Sequence, residues 1–426
     1  MIIHVVSAGE SVYSISRAYG VSPERIIINN DLRNPDRLVI GQTLVILYPA
    51  EVYVVKPGDS LYLISKKLGV PVRQLLQLNP QVSYRGIIYP GEELWIRYTD
   101  EKKGNIAING YAYPHIDRVT LRRTLPFLTY LSIFAYGFSA DGNLSSIADQ
   151  ELIDEAIEYG VAPLMVISAM DEYGVFSNEL ASLMLNNETV KWALIESIVR
   201  HAKSKGYAGV DVDFEFINAS DMDAFALFVR ELRSRCAEEG LVVFVALAPK
   251  TSADQPGQLY EGHDYRALGA AADRVLLMTY EWGYTYGPPL AVSPINGVRG
   301  VIEYAVTEIP PRKILMGMSN YGYDWPLPYV RGETRARGIG NVQAVDIAAE
   351  NGAEIKYDEV SQAPFFNYYS SEGQPHIVWF EDARSINART QLVPEFGLYG
   401  MGFWNIMRFF PQSWLVINSQ FNIITV

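Results

Sequence analysis

Short apolar runs alternate with longer stretches of helical periodicity through most of the chain. The runs are rich in β-branched and aromatic residues, which predicts buried β-strands. We predict eight such strands, at residues 106–111, 130–136, 161–168, 209–214, 242–247, 274–280, 313–319 and 400–404. Apolar residues at helical spacing predict helices between them, most clearly at residues 146–159, 187–205 and 220–239.

This order of elements predicts an α/β fold in which helices cover a parallel sheet. Eight units within residues 104–426 favour a (β/α)8 barrel of the TIM type, whose usual size is about 250 residues before insertions. The surplus falls in residues 325–375, which are rich in Pro, Gly and Tyr and precede the last strand. A doubly wound open sheet is the alternative, but no Gly-rich nucleotide loop follows an early strand.

The first hundred residues contain a repeat. Residues 4–16 align with residues 53–65 at an offset of 49, and the match resumes near the end of each copy after one inserted residue. Each copy predicts the order strand, helix, helix, strand. Two small α+β modules, at residues 2–47 and 52–97, therefore precede the barrel, and the polar residues 99–104 join them to it.

Residues that favour helix ends support this interpretation of the repeat. Ser11 and Ser60 stand where an N-cap would begin the first helix of each module. Gly20 and Gly69 stand where that helix would end. The two copies therefore share their helix signals as well as their apolar pattern.

The strictest alternation of apolar and charged residues lies at residues 207–215. Asp211, Asp213 and Glu215 are separated only by Val and Phe. On a β-strand the three carboxylates share one face, and the apolar side chains share the other. Because Cα atoms two positions apart on a strand are only about 6–7 Å apart, the three acids cannot all ionise freely. We expect at least one raised pKa, and an acid that stays protonated at neutral pH.

In barrels of this type the functional residues lie at the carboxyl ends of the strands. The predicted strands end in polar or aromatic residues, which makes these side chains candidates for ligand contact. The candidates for substrate binding are Tyr111, Phe134, Met278, Trp282, Asn320 and Trp404. Further aromatic candidates for stacking on a ligand are Tyr113, Tyr136, Tyr284, Tyr286, Tyr323 and Trp325.

Charge and composition narrow the partners. The formal net charge is −13, and residues 1–98 carry 10 Lys and Arg against 8 Asp and Glu, whereas the rest carry 25 against 40. An acidic barrel argues against nucleic acid. The chain has no apolar run of the roughly 18 residues that a membrane span needs, and no secretory signal is visible. The single Cys236 excludes an internal disulfide, and no protein partner is indicated.

Four interpretations compete for the three carboxylates: a solvated strand face, a divalent metal site, a sugar-binding site without turnover, and glycoside hydrolysis. The apolar neighbours argue against a solvated face. A total of five histidines, without obvious carboxylate ligands on neighbouring strands, argues against a metal. Glycoside hydrolysis requires a carboxylic acid kept protonated and a second carboxylate that tunes it, which fits this row of acids best.

Both N-terminal repeats resemble the LysM module, which has V-x-x-G-[DE]-[ST]-[LV]-x-x-[IL] near its start and N…G-x-x-L-x-I near its end. This resemblance implies binding of glycans that contain N-acetylglucosamine, such as peptidoglycan or chitin. The family's ligand groove lies between the first strand–helix loop and the loop before the last strand. It would bring near the sugar Gly9, Glu10, Ser11, Gly58, Asp59 and Ser60. The alternative is that these residues only cap a helix.

Residues 209–215 resemble the D-G-x-D-x-D-x-E signature of family 18 glycoside hydrolases. The segment Met278-Thr279-Tyr280 is similar to their M-x-Y motif, and Trp404 to the tryptophan that ends their last strand. The LysM pair followed by this barrel is similar to the spore cortex-lytic N-acetylglucosaminidases of endospore formers. That resemblance implies a spore or cell-wall location, peptidoglycan as the partner, and neither cofactor nor metal.

The resemblance also implies roles in a substrate-assisted, retaining mechanism. Glu215 would be the general acid, and the substrate's own acetamido oxygen would attack the anomeric carbon. Asp213 would orient the acetamido N–H, with Asp211 behind it sharing a proton. Tyr280 would hydrogen-bond the acetamido oxygen, and Trp404 would form the floor of the pocket.

The sequence departs from the family pattern at three positions. Ala208 stands where the first Asp of the signature is usual, Phe214 replaces a common Trp, and Glu281 replaces the frequent Asp after M-x-Y. None of these changes removes the acid or its neighbouring carboxylate, so we expect turnover. Chitinase activity, or glycan binding without catalysis, is the alternative function.

Overall fold

Each N-terminal repeat folds as an antiparallel strand pair covered by helices. The computed structural model describes residues 1–83, 86–171 and 174–426. The first repeat contains β1 Ile2–Val5, α1 Val12–Tyr19, α2 Pro23–Asn30 and β2 Thr43–Ile46. The second contains β3 Pro49–Val54, α3 Leu61–Leu68, α4 Val72–Leu78, the short α5 Pro80–Ser83 and β4 Glu93–Tyr98. The predicted order is confirmed in both, with α5 as an addition.

The predicted helix signals act as expected in both repeats. The side chains of Ser11 and Ser60 accept the backbone N–H three residues further on, which caps α1 and α3. Gly20 and Gly69 end these helices with φ of 67° and 64°. Glycine adopts this left-handed conformation without steric cost, so each helix stops at the position that the sequence predicts.

Seven parallel strands come next, with helices between them. The strands are β5 Asn105–Ala112, β6 Tyr130–Tyr136, β7 Ala162–Ser168, β8 Gly209–Asp213, β9 Val242–Leu247, β10 Arg274–Leu277 and β11 Ile314–Ser319. The helices are α6 Arg118–Thr124, α7 Gln150–Glu158, α8 Asn178–Leu185, α9 Glu188–Lys205, α10 Met222–Ala237, α11 Tyr265–Ala271 and α12 Ile295–Glu308. Each strand pairs with the next in parallel register, as predicted for an α/β barrel.

A separate antiparallel sheet is inserted after β11. Its strands are β12 Gly322–Pro326, β13 Arg337–Ile339, β14 Lys356–Asp358, β15 Ala363–Tyr369 and β16 Pro375–Trp379, and the helix α13 Asn341–Glu350 packs on it. The strand order is β13-β12-β16-β15-β14. The surplus predicted near residues 325–375 is therefore a small α+β unit.

The final elements close the barrel. They are α14 Ala383–Phe396, β17 Gly400–Trp404, α15 Pro411–Gln420 and β18 Asn422–Ile423. Strand β17 lies between β11 and β5 and pairs in parallel with both, which completes a closed ring of eight strands. The open-sheet alternative is therefore wrong. No helix in the described ranges is long and apolar enough to cross a membrane.

Strand β8 is anchored by its outward face. Val210, Val212 and Phe214 are fully buried among the helices. The ring of Phe214 stacks on Phe225 and Phe228 of α10, with centroids 5.7 and 5.6 Å away. Burial of each such side chain contributes about 1.5–3 kcal/mol. Because these residues point outward, the alternating carboxylates must point inward.

The two repeats attach to the barrel through different surfaces. In the first repeat the loop before β2 joins the inserted sheet, where Val39 is buried in the same cluster as Ile339 and the N–H of Ile355 donates to the C=O of Ile40 at 2.9 Å. The second repeat uses α4, from which Arg73 donates to the C=O of Pro126 at 2.7 Å. Two modules of similar sequence therefore make unrelated contacts with the rest of the chain.

Candidate active site

The mouth of the barrel holds a cavity of about 840 Å³ at the carboxyl ends of the strands. Strand β8 ends at Asp213, so Glu215 lies two residues beyond it, at the rim. Of the residues predicted for catalysis and substrate binding, seven line the cavity: Tyr111, Asp213, Glu215, Met278, Tyr280, Trp282 and Trp404. Residues on four different strands and their following loops thus meet in one place, because parallel strands end on the same side.

Asp211 lies beneath the cavity and is fully buried. Its Oδ2 accepts the hydroxyl of Tyr111 at 2.7 Å and that of Ser132 at 2.8 Å. Burial raises the pKa of Asp211 to about 6, although these two hydrogen bonds act in the opposite direction. In the described part of the chain its Oδ1 has no hydrogen-bond partner, and no hydrogen bond joins it to Asp213.

Asp213 lies at the cavity wall and is 5% exposed. Burial raises the pKa of its carboxyl well above the ordinary value, and the charges of Glu215 and Asp211 raise it further. Its Oδ1 is buried, and no donor from the described residues reaches it. A buried acceptor without a donor is costly, and it is suited to receive an N–H from a molecule in the cavity.

Glu215 is the most accessible of the three acids. Burial raises the pKa of its carboxyl, and the charge of Glu281 adds to this rise. The expectation of raised pKa values in the acid row is therefore confirmed. A carboxyl of this kind remains protonated to higher pH than a free glutamate, which is the property of a general acid.

Glu281 acquires partners that the sequence did not indicate. It accepts hydrogen bonds from the hydroxyls of Tyr321 and Tyr323, the latter at 3.1 Å. Burial raises its pKa, and these hydrogen bonds oppose that rise. Its φ of 68° is unusual for a residue other than glycine and marks a locally strained backbone, as is frequent at functional sites. The adjacent Tyr280 is almost fully buried in the cavity wall.

An aromatic cluster surrounds Trp404. Its ring lies 5.0 Å from Phe134, 5.7 Å from Tyr111 and 6.1 Å from Tyr113. Trp404 itself lines the cavity, whereas Phe134 lies outside the lining and packs edge-to-face against the Trp404 ring. Asn320 lies outside the lining, and its amide donates to the backbone carbonyls of two residues that follow the last barrel strand.

Two aromatic residues predicted to stack on a ligand are packing residues instead. Tyr136 is fully buried, and its hydroxyl donates to the carboxylate of Asp149. Trp325 is also fully buried, and its Nε1–H donates to the C=O of Gly287 at 2.9 Å. The alternation of residues along a strand predicts which way a side chain points only where the residue lies well inside the strand. Tyr136 and Trp325 both lie near the end of a strand, so their orientation could not be predicted. Trp282 and Tyr323 do line the cavity.

The loop after β9 also contributes to the cavity, and sequence reasoning missed it. Its lining residues include Thr251, Ser252, Gln255, Leu259 and Tyr260. The loop is braced internally, because Gln255 accepts the backbone N–H of Thr251 at 2.8 Å. Irregular loops lack periodicity, so the only available signal was their place after a strand end.

The predicted glycan-binding acids of the repeats are engaged within their own loops. Oε2 of Glu10 accepts the N–H of Ser7 at 2.7 Å, and Oδ2 of Asp59 accepts the N–H of Lys56 at 2.8 Å. Gly9 and Gly58 hold positive φ values of 81° and 86° in the same loops. These contacts close the turn before each helix. Ser11 and Ser60 are occupied as helix caps.

No group of three or more His, Cys, Asp or Glu residues within residues 1–83, 86–171 and 174–426 is arranged to hold an ion. Of the three acids, Asp211 accepts hydrogen bonds from hydroxyl groups, and Asp213 and Glu215 line the cavity.

Known protein families match both the barrel and the two N-terminal repeats. Residues 171–408 match the glycosyl hydrolases of family 18, and residues 4–47 and 53–97 match the LysM domain. The chain belongs to family 18 of the glycosyl hydrolases and carries two LysM domains.

Some relatives match the full chain, and others match part of it. The chain is 41% identical to the cortical fragment-lytic enzyme of Bacillus subtilis (strain 168), over 100% of this chain and 99% of that protein. The crystal structure of the Bacillus megaterium QM B1551 spore cortex-lytic enzyme SleL superposes with a TM-score of 0.84 and 40% identity, covering 100% and 99% of the two chains. A chitinase from Chromobacterium violaceum ATCC 12472 superposes with a TM-score of 0.68 and 25% identity, over 73% of this chain and 98% of that one.

Proposed function

We propose that this chain is a retaining N-acetylglucosaminidase that cleaves spore cortex peptidoglycan after N-acetylglucosamine. The observation that carries the proposal is the buried Oδ1 of Asp213, an acceptor without a donor from the described residues, at the wall of the cavity that Glu215 also lines. The acetamido N–H of an N-acetylated sugar would supply that donor. A protonated acid would then stand beside the glycosidic oxygen.

In this proposal Glu215 protonates the leaving oxygen, and the substrate's acetamido oxygen attacks the anomeric carbon. The resulting oxazolinium ion carries positive charge, which ionised Asp213 stabilises while it holds the ring N–H. Glu215, now ionised, removes a proton from water as that water opens the ring with overall retention. Asp211 supports Asp213 from beneath, Tyr280 holds the acetamido oxygen, and Trp404 forms the floor.

The choice of polymer rests on the relatives and on the two repeats. Proteins named as cortex-lytic match this chain over its whole length, whereas the chitinase covers 73% of this chain at 25% identity. We propose a spore or cell-wall location.

The proposed functional units are residues 2–47 and 52–97 for glycan attachment, and residues 104–426 for catalysis. Hydrolysis of chitin oligomers is the second candidate.

Replacement of the acid tests the reaction. Glu215→Gln keeps the shape of the side chain but cannot donate a proton, so we expect kcat on cortex fragments to fall by about 10²–10⁴-fold. Binding to insoluble peptidoglycan should be unchanged. Glu303→Gln is a matched control, because Glu303 is exposed on α12. Normal cleavage by the Glu215 variant would contradict the proposed mechanism.

Mass spectrometry of two digests tests the substrate. Cortex peptidoglycan and chitin oligomers are incubated in parallel with the enzyme, and the new reducing ends are identified. We expect cortex fragments that end in N-acetylglucosamine and slower release from chitin. Faster release from chitin would favour the second candidate, and inactivation by EDTA would favour a metal-dependent reaction.

A further inference from the structure

Strands β8 and β9 separate at their carboxyl ends, beside the proposed acid. Their ladder pairs Gly209 with Val242 at one end and Val212 with Val245 at the other, where the pairing stops. Beyond this point the chain reaches Phe214 on one side and Ala248 on the other. The gap makes room at the barrel mouth, but it leaves backbone groups that must find other partners, because unpaired buried groups are costly.

His263 fills this gap. Its side chain is fully buried, with Nδ1 3.0 Å from the N of Ala248 and Nε2 3.0 Å from the O of Phe214. The N–H of Ala248 must donate to Nδ1, so the ring proton resides on Nε2 and donates to Phe214. Burial lowers the pKa of His263 to about 4, which keeps the ring neutral and able to accept and donate at once.

The bonded carbonyl belongs to the peptide that joins Phe214 to Glu215. Fixing the plane of that peptide limits the direction in which the Glu215 side chain leaves the backbone. The segment after the acid is restrained as well, because a Cβ built on Gly262 would lie 2.3 Å from the O of Ile217. The loop that carries His263 thus contacts the chain both before Glu215, at Phe214, and after it, at Ile217.

The loop is itself held from the β9 side. Nζ of Lys250 donates to the C=O of His263 at 3.0 Å. Tyr265 contacts the end of β9 through its hydroxyl, which donates to the O of Ala248 at 2.6 Å and accepts the N–H of Lys250 at 2.9 Å. Tyr265 therefore braces β9, whereas the His263 side chain bridges β9 to β8.

We propose that His263 is a positioning residue for Glu215, which it orients by bridging the separated ends of β8 and β9. The inference rests on the proposed role of Glu215 as the acid. A displacement of about 1 Å at a catalytic group can cost about a hundredfold in rate. A bridge at the adjacent peptide is therefore sufficient to influence kcat without touching the substrate.

The test compares His263→Ala, His263→Gln and the control Tyr265→Phe by kcat, KM and thermal unfolding on cortex fragments. We expect His263→Ala to lower kcat by about ten- to a hundredfold while KM changes less than about threefold. The amide of Gln can accept and donate from adjacent atoms, so His263→Gln should recover kcat to within about fivefold. Tyr265→Phe should lower the unfolding midpoint and leave kcat unchanged.

The pH profile separates positioning from general loosening. If the Glu215 carboxyl turns toward solvent, its pKa falls, and activity in His263→Ala should be lost at lower pH on the alkaline side. An unchanged kcat and profile in a folded His263→Ala would overturn the proposal. So would equal losses in all three variants.

A second pair of variants keeps the test decisive if His263→Ala does not fold. Asn is too short to reach both backbone groups, so His263→Asn should have a kcat at least about tenfold below that of His263→Gln. Equal kcat values in these two variants would overturn the proposal. The Glu215→Gln variant tests the proposed function separately. If that variant is active, Glu215 is not the general acid, whatever the His263 variants show.

Discussion

The barrel mouth and the loops of the LysM domains use carboxylates in opposite ways. In the barrel, burial raises the pKa of Asp211, Asp213 and Glu215. In the LysM loops, a backbone N–H lowers the pKa of Glu10 and of Asp59, with Ser7 and Lys56 as the donors. The barrel mouth thus favours the protonated form of a carboxyl, whereas the LysM loops favour the ionised form.

This difference separates function from stability. A carboxylate that is ionised and hydrogen-bonded in the folded state stabilises it, whereas a buried acid that resists ionisation destabilises it at neutral pH. The barrel retains three such acids in one row, which is costly unless the site has a use for them. The LysM acids serve their own loops.

Within this comparison of the two regions, the largest expected effect is on the barrel side. Asp213→Asn removes the charge that would stabilise the oxazolinium ion, so we expect kcat on cortex fragments to fall by about 10²–10³-fold. Steady-state kinetics measure this, with Asp59→Asn as the matched change in a LysM loop. If both variants kept full activity, the contrast between the two regions would have no catalytic meaning.

The pH dependence of stability should reveal the buried acid directly. The folded pKa of Asp211 is about 6, above the ordinary value of 3.8, so the folded state holds more protons between these values. Stability should therefore fall as pH rises through this window. Asp211→Asn removes this dependence, and its stability relative to the parent should increase by roughly 1–3 kcal/mol between pH 4 and pH 7. Denaturant unfolding at several pH values checks this, and a flat difference would contradict the assignment.

The opposite slope is expected for Glu10. Its pKa is lowered from 4.5, first by the N–H of Ser7, so the stability it contributes is present above that value and is lost as pH falls. Glu10→Gln removes the charge that the N–H of Ser7 stabilises, so it should lower the unfolding midpoint at pH 7. The decrease should be only about 1–2 °C, because the carboxylate of Glu10 is largely solvated. The deficit should shrink as pH falls below 4.5. A larger deficit at low pH would reverse the comparison.

The smallest effect is expected for glycan binding by Asp59→Asn. Because Oδ2 of Asp59 is occupied by Lys56 and Tyr53, we expect affinity for insoluble peptidoglycan to change by less than about twofold. Sedimentation binding assays measure this, with kcat on soluble fragments as the internal control. A loss above about tenfold would mean that this carboxylate contacts the sugar, and the LysM acids would then share a binding role.

The sequence was sufficient to predict those features of the structure that depend on neighbouring residues along the chain. The inward row of acids follows from the two-residue period of a strand, and the outward Val and Phe residues confirm it. The helix ends at Gly20 and Gly69 follow from the chemistry of glycine. The eight barrel strands followed from their apolar runs, although β10 stops at Leu277 and leaves Tyr280 in the loop beyond it.

The tertiary structure decided what lies between distant segments. Glu281 meets Tyr321 and Tyr323 across about forty residues of chain. Tyr136 and Trp325 carry the same aromatic signal as Trp404, yet they are packed away from the cavity. His263 has no motif around it and acquires its place only because two strands separate. Periodicity specifies which residues share a face, and long-range packing specifies what that face meets.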